Sequence, residues 1–356
     1  MPKAAQFLPD VRSLKNDKGI DLYIHQCSGC GLVQLNNTPV KYYKQVIRAT
    51  GISQEMRSFR IRQFNDFVKK YSLAGKKIIE IGCGKGEYVS LMQQCSEKSY
   101  GIEDSKESVK QCKKNGLKVF SGFIQNNTYK LNHAPFDAFF ILNFLEHLPD
   151  PNAVLSGISH NLSNNAVGII EVPNFDMILR KKLFSEFIID HLFYFTKETL
   201  RSLLILNGFE IIECHEIFHN YILSVVVKKR NKLNILNFNK HQTKIKKNIE
   251  IYLSQYNSKK VAIWGAGHQA LTIISLIDLT DKIRYVVDSA VFKQNKYTPA
   301  THIPIVSPVH LDSDPVDAII VMAGGYSNEV VKIVQKKYAT INVAVLYDYG
   351  LEIIHN

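Results

Sequence analysis

The residues with the clearest chemical meaning form a glycine-rich turn between a predicted strand at 77–81 and a predicted helix at 88–94. The turn contains Glu80, Gly82, Cys83, Gly84 and Gly86. Glycine lets a backbone approach a ligand closely and adopt positive φ angles. A dinucleotide fold uses such a turn for a pyrophosphate. An acidic residue before the glycines suits the ammonium group of an amino-acid ligand better than a phosphate.

Two later segments carry polar residues directly after predicted strands. Glu103 and Asp104 follow the strand at 99–103, where an acidic side chain is placed to accept hydrogen bonds from ribose hydroxyls. The apolar run 136–142 reads as a strand buried on both faces, and the polar segment 143–151 follows it. Ligands of open α/β sheets bind at the carboxyl ends of the strands, so we expect the three segments to meet.

In this order the three segments resemble those of the class I S-adenosylmethionine methyltransferases. The resemblance implies S-adenosylmethionine as the cofactor and a segment 143–151 that closes over its methionine end. The cofactor-binding residues that it implies are Glu80, Gly82, Cys83, Gly84, Gly86, Glu103, Asp104, Asn143 and Glu146. The alternative is a Rossmann-like domain with a different ligand.

The elements around these segments alternate between strands and helices, which predicts a doubly wound α/β sheet. A helix over 53–73 precedes the sheet. The other predicted elements are strands at 118–120 and 167–172, helices at 108–115 and 197–207, and a closing hairpin of 209–213 with 222–227. We expect an N-terminal module at 1–52, a methyltransferase domain at 53–228 and a C-terminal Rossmann-like domain at 229–356.

The C-terminal region reads as a second nucleotide-type fold. Its predicted elements are strands at 261–264, 283–288 and 318–322 and a helix at 268–277. Gly265, Gly267 and Ala270 match the pattern GxGxxA, and Asp288 lies where a ribose-binding acid belongs. Without further information, this pattern would suggest NAD and a redox enzyme fused to the methyltransferase.

Over nearly its whole length the chain also resembles the three-part C-methyltransferases of nucleotide-linked deoxysugars. The segment 25–35, with Cys27 and Cys30, resembles half of that family's zinc-binding module, and 288–305 resembles the signature of its C-terminal domain. The resemblance implies a nucleotide-sugar substrate and a C-terminal domain that supports its binding. The substrate-binding candidates are Asn174, His268, Lys293 and Tyr297. A structural zinc needs four ligands, and this chain offers one Cys pair.

The catalytic motif of that family, Tyr-His-Glu-His, appears here as the segment 188–191 with sequence Ile-Ile-Asp-His. Carbon methylation requires removal of a proton next to a carbonyl, and histidine is the natural base for it. We therefore predict His191 as the base, with His147 and Tyr194 as possible substitutes for the missing residues. Because a hydroxyl acceptor also needs only a base and good alignment, O-methylation is the alternative.

Composition narrows the class of partner. The formal net charge is +12, and much of it lies in a lysine-rich stretch at 228–260 that mixes with periodic apolar residues. No aromatic ladder accompanies these lysines, so we predict a solvated amphipathic connector and not a nucleic-acid site. No apolar run approaches the roughly 20 residues of a membrane helix. We expect a cytoplasmic enzyme without a membrane segment or a disulfide framework.

Overall fold

The computed structural model describes residues 1–2, 8–45 and 52–354. The chain divides into two compact units, Met1–Lys232 and Leu233–Asn356. Parts of the predicted N-terminal module, 3–7 and 46–51, lie outside the described residues. Across the described ranges, every helix is too short or too polar to cross a membrane.

The first unit alternates strands and helices as the sequence predicts. Its elements are β1 (Ile24–Gln26), β2 (Val33–Leu35), α1 (Gln54–Lys70), β3 (Ile78–Ile81), α2 (Glu87–Cys95), β4 (Ser99–Glu103), α3 (Lys106–Lys114), β5 (Lys118–Ser121), β6 (Phe136–Leu142), α4 (Pro151–His160), β7 (Leu162–Pro173), α5 (Phe175–Lys181), β8 (Phe193–Tyr194), α6 (Lys197–Leu206), β9 (Phe209–Ile217) and β10 (Ile222–Lys229).

The main sheet of this unit has the strand order β5-β4-β3-β6-β7-β10-β9. The first five strands are parallel, and β10 pairs antiparallel with both β7 and β9. The predicted doubly wound sheet and its closing hairpin are confirmed. The order reverses between β3 and β6, so the glycine turn after β3 and the segment after β6 share the edge where such sheets bind ligands.

The strands of the sheet centre are apolar because helices cover both faces. In β6, every residue except Asp137 is buried. On one face its side chains pack with α4 and α6, and on the other they pack with Phe64 and Phe67 of α1. The side chains of α1 that recur at helical spacing are therefore the ones that close this face of the sheet.

A small three-stranded sheet joins the N-terminal segment to the segment that follows the predicted base, His191. Its order is β1-β2-β8, and Val33 of β2 lies opposite Tyr194 of β8. The sequence analysis did not predict β8, because two residues of strand carry no periodic signal. Pairing with β2 is what makes this segment extended.

The second unit has its own sheet, with order β13-β14-β12-β11-β15-β16-β17. Its elements are α7 (Leu236–Leu253), β11 (Val261–Trp264), α8 (His268–Leu276), β12 (Val286–Val287), β13 (Lys296–Tyr297), β14 (Pro304–Val306), α9 (His310–Ser313), β15 (Ala318–Val321), α10 (Ser327–Lys337), β16 (Asn342–Tyr347) and β17 (Gly350–Ile354). The central strands are parallel, and β13 and β17 add antiparallel edges. The predicted Rossmann-like architecture is confirmed.

One strand of this unit is shorter than predicted. The strand predicted at 283–288 is shortened to β12, because only Val286 and Val287 find partners on the three-residue strand β14. The predicted amphipathic connector is largely the helix α7, which packs into the core of this unit. Its residues Ile245, Ile249 and Tyr252 are buried in the core, and the lysines lie on the opposite, exposed face.

A fully buried ion pair fastens α1 to the first unit's sheet. The Arg60 guanidinium lies 2.5 Å from the Glu171 carboxylate of β7, and neither side chain is exposed. Gln63 of α1 and Ser224 of β10 donate further hydrogen bonds to this carboxylate, at 2.6 and 3.0 Å. Because both charges are out of water, each depends on the other for compensation.

We expect Arg60→Ala to lower the free energy of unfolding of the first unit by about 3–5 kcal/mol, since it leaves a buried carboxylate without its counter-ion. Urea denaturation followed by circular dichroism measures this change. The matched control is Arg180→Ala, which removes the exposed pair with Glu216. The control should unfold like the parent protein. Equal losses for the two variants would contradict a special role of the buried pair.

Candidate functional site

The glycine turn after β3 is shaped by close packing. Gly82 has a φ of +70°, and a Cβ atom there would lie 2.4 Å from the ring of Phe144. Gly86 has a φ of +81°, and a Cβ there would lie 2.5 Å from Leu117. A larger residue at either position would have to displace a buried side chain. The backbone of the turn is also tied to β4, because the amides of Gly82 and Cys83 both donate to the Ile102 carbonyl.

Glu103 lies at the end of β4 with only 1% of its surface exposed. One carboxylate oxygen accepts a hydrogen bond from the Gly84 amide at 2.9 Å, and the other accepts from the Ser105 amide at 2.8 Å. These two bonds fix the Glu103 carboxylate against the glycine turn and the start of α3. Glu80 is buried in β3, and Asp104 is half-buried directly after β4.

Cys83 lies in the turn, but its thiol points into the protein. Its Sγ lies close to Gly101 and Cys112, and the pKa of Cys83 is raised by the hydrogen bond with the Cys112 thiol and by burial. The contribution of Cys83 to a ligand site is therefore limited to its backbone. The sequence alone did not reveal this orientation, because a cysteine in a turn has no fixed direction.

The segment after β6 brings a second set of polar groups to the same edge. Asn143 has a φ of +49°, and its amide donates to the Glu171 carbonyl at 2.8 Å. Glu146 is only 1% exposed, and neither of its carboxylate oxygens has a hydrogen-bond partner among the described residues. Burial raises the pKa of Glu146 to about 8. A carboxyl group that is buried without a hydrogen-bond partner and has a raised pKa is typical of ligand-binding and catalytic sites.

His147 and His191 form a pair beside this carboxyl group. Their ring centroids are 4.7 Å apart, and the rings meet edge to face. The His147 Nδ1 atom lies 2.7 Å from the Asp190 carbonyl oxygen, which can only accept, so Nδ1 carries the proton. Burial and the neighbouring His147 lower the pKa of His191 to about 3, and burial also lowers the pKa of His147. Both rings are therefore neutral at neutral pH, and each has one ring nitrogen without a proton.

The loop that carries His191 is held by contacts that the sequence analysis missed. The Leu192 amide donates to the Glu146 carbonyl at 2.8 Å. The Tyr42 hydroxyl, from the N-terminal segment, donates to the Asp190 carboxylate at 2.9 Å. Burial, followed by this hydrogen bond, raises the pKa of Tyr42. Tyr42 is 148 residues from its partner, and nothing in the local pattern identifies it.

Tyr194 was predicted as a substitute catalytic residue, and the structure gives it another role. Its side chain is 4% exposed and packs against Phe175 and Phe187. Its hydroxyl accepts a hydrogen bond from the Ile188 amide and donates to the Ile188 carbonyl. Because its polar atom is engaged in this way, Tyr194 acts as a positioning residue for the loop that ends at His191.

Asn174 was predicted as a substrate-binding residue, but its side chain is fully buried. It caps the N-terminus of α5, where its oxygen accepts from the Met177 amide. Its nitrogen donates to the Asn220 carbonyl at 2.8 Å. The amide thus joins α5 to the β9–β10 turn and is not available to a substrate.

Cys27 and Cys30 lie in the turn between β1 and β2. Hydrogen bonds from the backbone of Cys30 and Gly29 lower the pKa of Cys27, as in a metal-binding knuckle. Among the described residues, no third His, Cys, Asp or Glu ligand joins these two thiols. Two ligands do not meet the four that a structural zinc requires, so these residues do not fit such a site.

The second unit contains a cavity of about 620 Å³ around its own glycine turn. His268 and Lys293, which the sequence analysis names as substrate-binding candidates, line this cavity, whereas the candidate Tyr297 is an exposed residue of β13 outside the lining. The Asp288 carboxylate accepts hydrogen bonds from the amides of Ala266 and Ala290 and pairs with Lys293 at 2.9 Å. The Lys293 ammonium thus compensates the charge of the acid that would bind a ribose in an NAD site.

Comparisons with known proteins agree with this arrangement. Residues 56–214 match the family described as a methyltransferase domain, and residues 228–344 match the family described as a C-methyltransferase C-terminal domain. The chain is 21% identical to the C-methyltransferase NovU of Streptomyces niveus over 93% of this chain and 86% of that protein. The two matched domains follow the same order as the two units.

Other similarities cover a smaller share of the chain. The ubiquinone biosynthesis O-methyltransferase of Chromobacterium violaceum is 31% identical over 26% of this chain, and the match spans 43% of that protein. A solved S-adenosylmethionine-dependent methyltransferase from Clostridium acetobutylicum superposes with a TM-score of 0.41 at 14% identity, over 53% of this chain and 96% of that one. From the matched domains and the geometry of the glycine turn, this chain is an S-adenosylmethionine-dependent methyltransferase.

Proposed function

We propose that the chain transfers a methyl group to a carbon atom of a sugar carried on a nucleotide, with His191 as the base. The family match of residues 228–344 and the relative NovU both carry the description C-methyltransferase, which supports carbon as the acceptor. The segment 288–305 supports the nucleotide-sugar class through its resemblance to that family. The net charge of +12 suits a doubly anionic pyrophosphate.

The observation that carries this proposal is the position of the histidine pair relative to the glycine turn. Phe144 contacts Gly82 in the turn, and its ring centroid is 6.5 Å from that of His147. His147 in turn meets His191. The ring of Phe144 thus separates the neutral imidazoles of His147 and His191 from the glycine turn. The backbone of this turn would hold the methionine end of the cofactor. A base at this distance can reach an acceptor aligned with the methyl group.

S-adenosylmethionine supplies an electrophilic methyl group on its sulfonium. His191 would take the proton from the carbon next to the substrate carbonyl, and the resulting enolate carbon would form the new carbon–carbon bond as the sulfur–methyl bond breaks. His147 cannot easily move, because its Nδ1–H is bound to the Asp190 carbonyl. It would hold the ring of His191 in place during the transfer.

O-methylation is the second candidate. The family's Tyr and first His are replaced by Ile188 and Ile189, of which Ile189 is buried. A hydroxyl acceptor needs a base and alignment but no group to stabilise an enolate. The partial match to a ubiquinone biosynthesis O-methyltransferase is compatible with this alternative. Nuclear magnetic resonance of the product distinguishes a carbon-bound from an oxygen-bound methyl group.

We expect Glu103→Ala to weaken binding of S-adenosylhomocysteine at least about tenfold, since it removes hydrogen bonds made by a charged acceptor to the ligand and to the turn. Isothermal titration calorimetry measures the affinity. The control is Glu107→Gln, an exposed acid on α3 four residues away. An unchanged affinity in Glu103→Ala would remove Glu103 from the cofactor site.

We expect His191→Ala to lower kcat by about 10²–10⁴-fold while the affinity for S-adenosylhomocysteine stays within a factor of two or so, because a general base acts on the acceptor. Single-turnover methyl transfer and calorimetry supply the two values. His160→Ala, an exposed histidine on α4, should leave both unchanged. Undiminished turnover in His191→Ala would exclude it as the base.

For the second unit, we expect one of the thymidine, uridine, guanosine and cytidine diphosphates to raise the melting temperature. Lys293→Ala should abolish this shift, because Lys293 is a cation lining the cavity. Lys296→Ala, an exposed neighbour on β13, is the control. Stabilisation by NAD or by a short RNA, with no response to any nucleoside diphosphate, would contradict the nucleotide-sugar assignment.

A further inference from the structure

The first unit contains a cluster of three side chains with the composition of a transition-metal site. One ligand atom each from Glu146, His147 and His191 lies within 4.8 Å of the other two. Two imidazoles and one carboxylate bind ions such as Fe²⁺ and Zn²⁺ and leave open positions. Bound at about 2.1 Å, tetrahedral ligand atoms lie roughly 3.4 Å apart, which modest side-chain rotations would reach here.

A second observation points to a cation at the same place. The Glu146 side chain is 1% exposed, and neither carboxylate oxygen has a hydrogen-bond partner among the residues that the structure describes. Its Oε1 atom lies 3.9 Å from His147 Nε2. Because His147 carries its proton on Nδ1, the Glu146 carboxyl group faces the lone pair of Nε2, and no residue in the described part of the chain donates a hydrogen bond to its oxygens. A cation would satisfy both groups.

The surroundings also orient the ligands as metal sites do. Metal-binding histidines usually donate their second ring N–H to a carbonyl or carboxylate, which fixes the ring and the free nitrogen. His147 donates from Nδ1 to the Asp190 carbonyl, and Asp190 is itself held by Tyr42. The Leu192 amide then binds the Glu146 carbonyl, so the two segments that carry the three ligands are joined directly.

We propose that Glu146, His147 and His191 bind a divalent transition-metal ion, and that this ion and base catalysis by His191 exclude each other. The second half rests on the proposed function. A ligated imidazole has no free lone pair for a substrate proton, so metal binding would inhibit methyl transfer at this site. The enzyme would then be more active after treatment with a chelator than with stoichiometric Zn²⁺.

The binding half is tested with Co²⁺, whose visible absorption reports ligation without turnover. The full-length chain carries Cys27→Ser and Cys30→Ser, so that thiols cannot contribute. We expect a saturable visible band with a stoichiometry of one. Two further variants are made separately in this background, Glu146→Gln and His191→Ala. Each should weaken Co²⁺ binding at least about tenfold, because the loss of a residue that only supports the ligands of a metal site already costs about that much affinity.

The matched control is His219→Ala. His219 and Glu55 form another His–Glu pair, 2.9 Å apart and exposed, which no third ligand joins within residues 1–2, 8–45 and 52–354. This variant should bind Co²⁺ like the parent. If Co²⁺ does not bind, or if Glu146→Gln and His219→Ala bind it equally, the metal site is overturned whatever the enzyme's activity.

The exclusion half is tested by turnover of the same protein with a chelator and with added Zn²⁺. We expect Zn²⁺ to inhibit with the same concentration dependence as binding, and the chelator to restore activity. Zn²⁺ that binds but leaves turnover unchanged or raises it would overturn the exclusion while the metal site stands. Failure of His191 as the base appears separately, as undiminished turnover of His191→Ala without metal.

Discussion

The site of the first unit depends on one buried ion pair. Arg60 of α1 and Glu171 of β7 meet without water, and their cost of desolvation is offset only while both are in place. The pair fixes the helix that covers the sheet. The backbone carbonyl of Glu171 also binds the amide of Asn143, which begins the segment with Glu146 and His147. The same residue therefore anchors a covering helix through its side chain and the functional edge through its backbone.

The loop that carries His191 is held from outside the main sheet of the first unit. Strand β2 pairs with β8, and Tyr42 binds Asp190, so the N-terminal segment supports this loop with a strand ladder and a hydrogen bond. This support does not require a metal at Cys27 and Cys30. Two neutral histidines lie beside a buried carboxyl group, and the proposed proton transfer and the proposed metal binding both rest on this combination.

The two units use the same kind of turn in different ways. In the first, Glu103 accepts hydrogen bonds from the amides of Gly84 and Ser105. In the second, the acid at the comparable position, Asp288, accepts from the amides of Ala266 and Ala290 and is also paired with Lys293. The lysine compensates the negative charge of Asp288 beside the cavity of the second unit.

The sequence alone determined the order of the elements, the sheet type and the glycine turn, because apolar periodicity and glycine spacing are local properties. The cofactor class followed from the resemblance of three segments to the S-adenosylmethionine methyltransferases, and the same kind of resemblance named His191 as the candidate base. The tertiary structure decided which groups remain available. Tyr194 and Asn174 have the right chemistry, but backbone groups bind their polar atoms, whereas Glu146 is buried without a partner among the described residues. Tyr42 acquires its role through a contact across 148 residues. Such pairings depend on how distant segments meet, which no local pattern encodes.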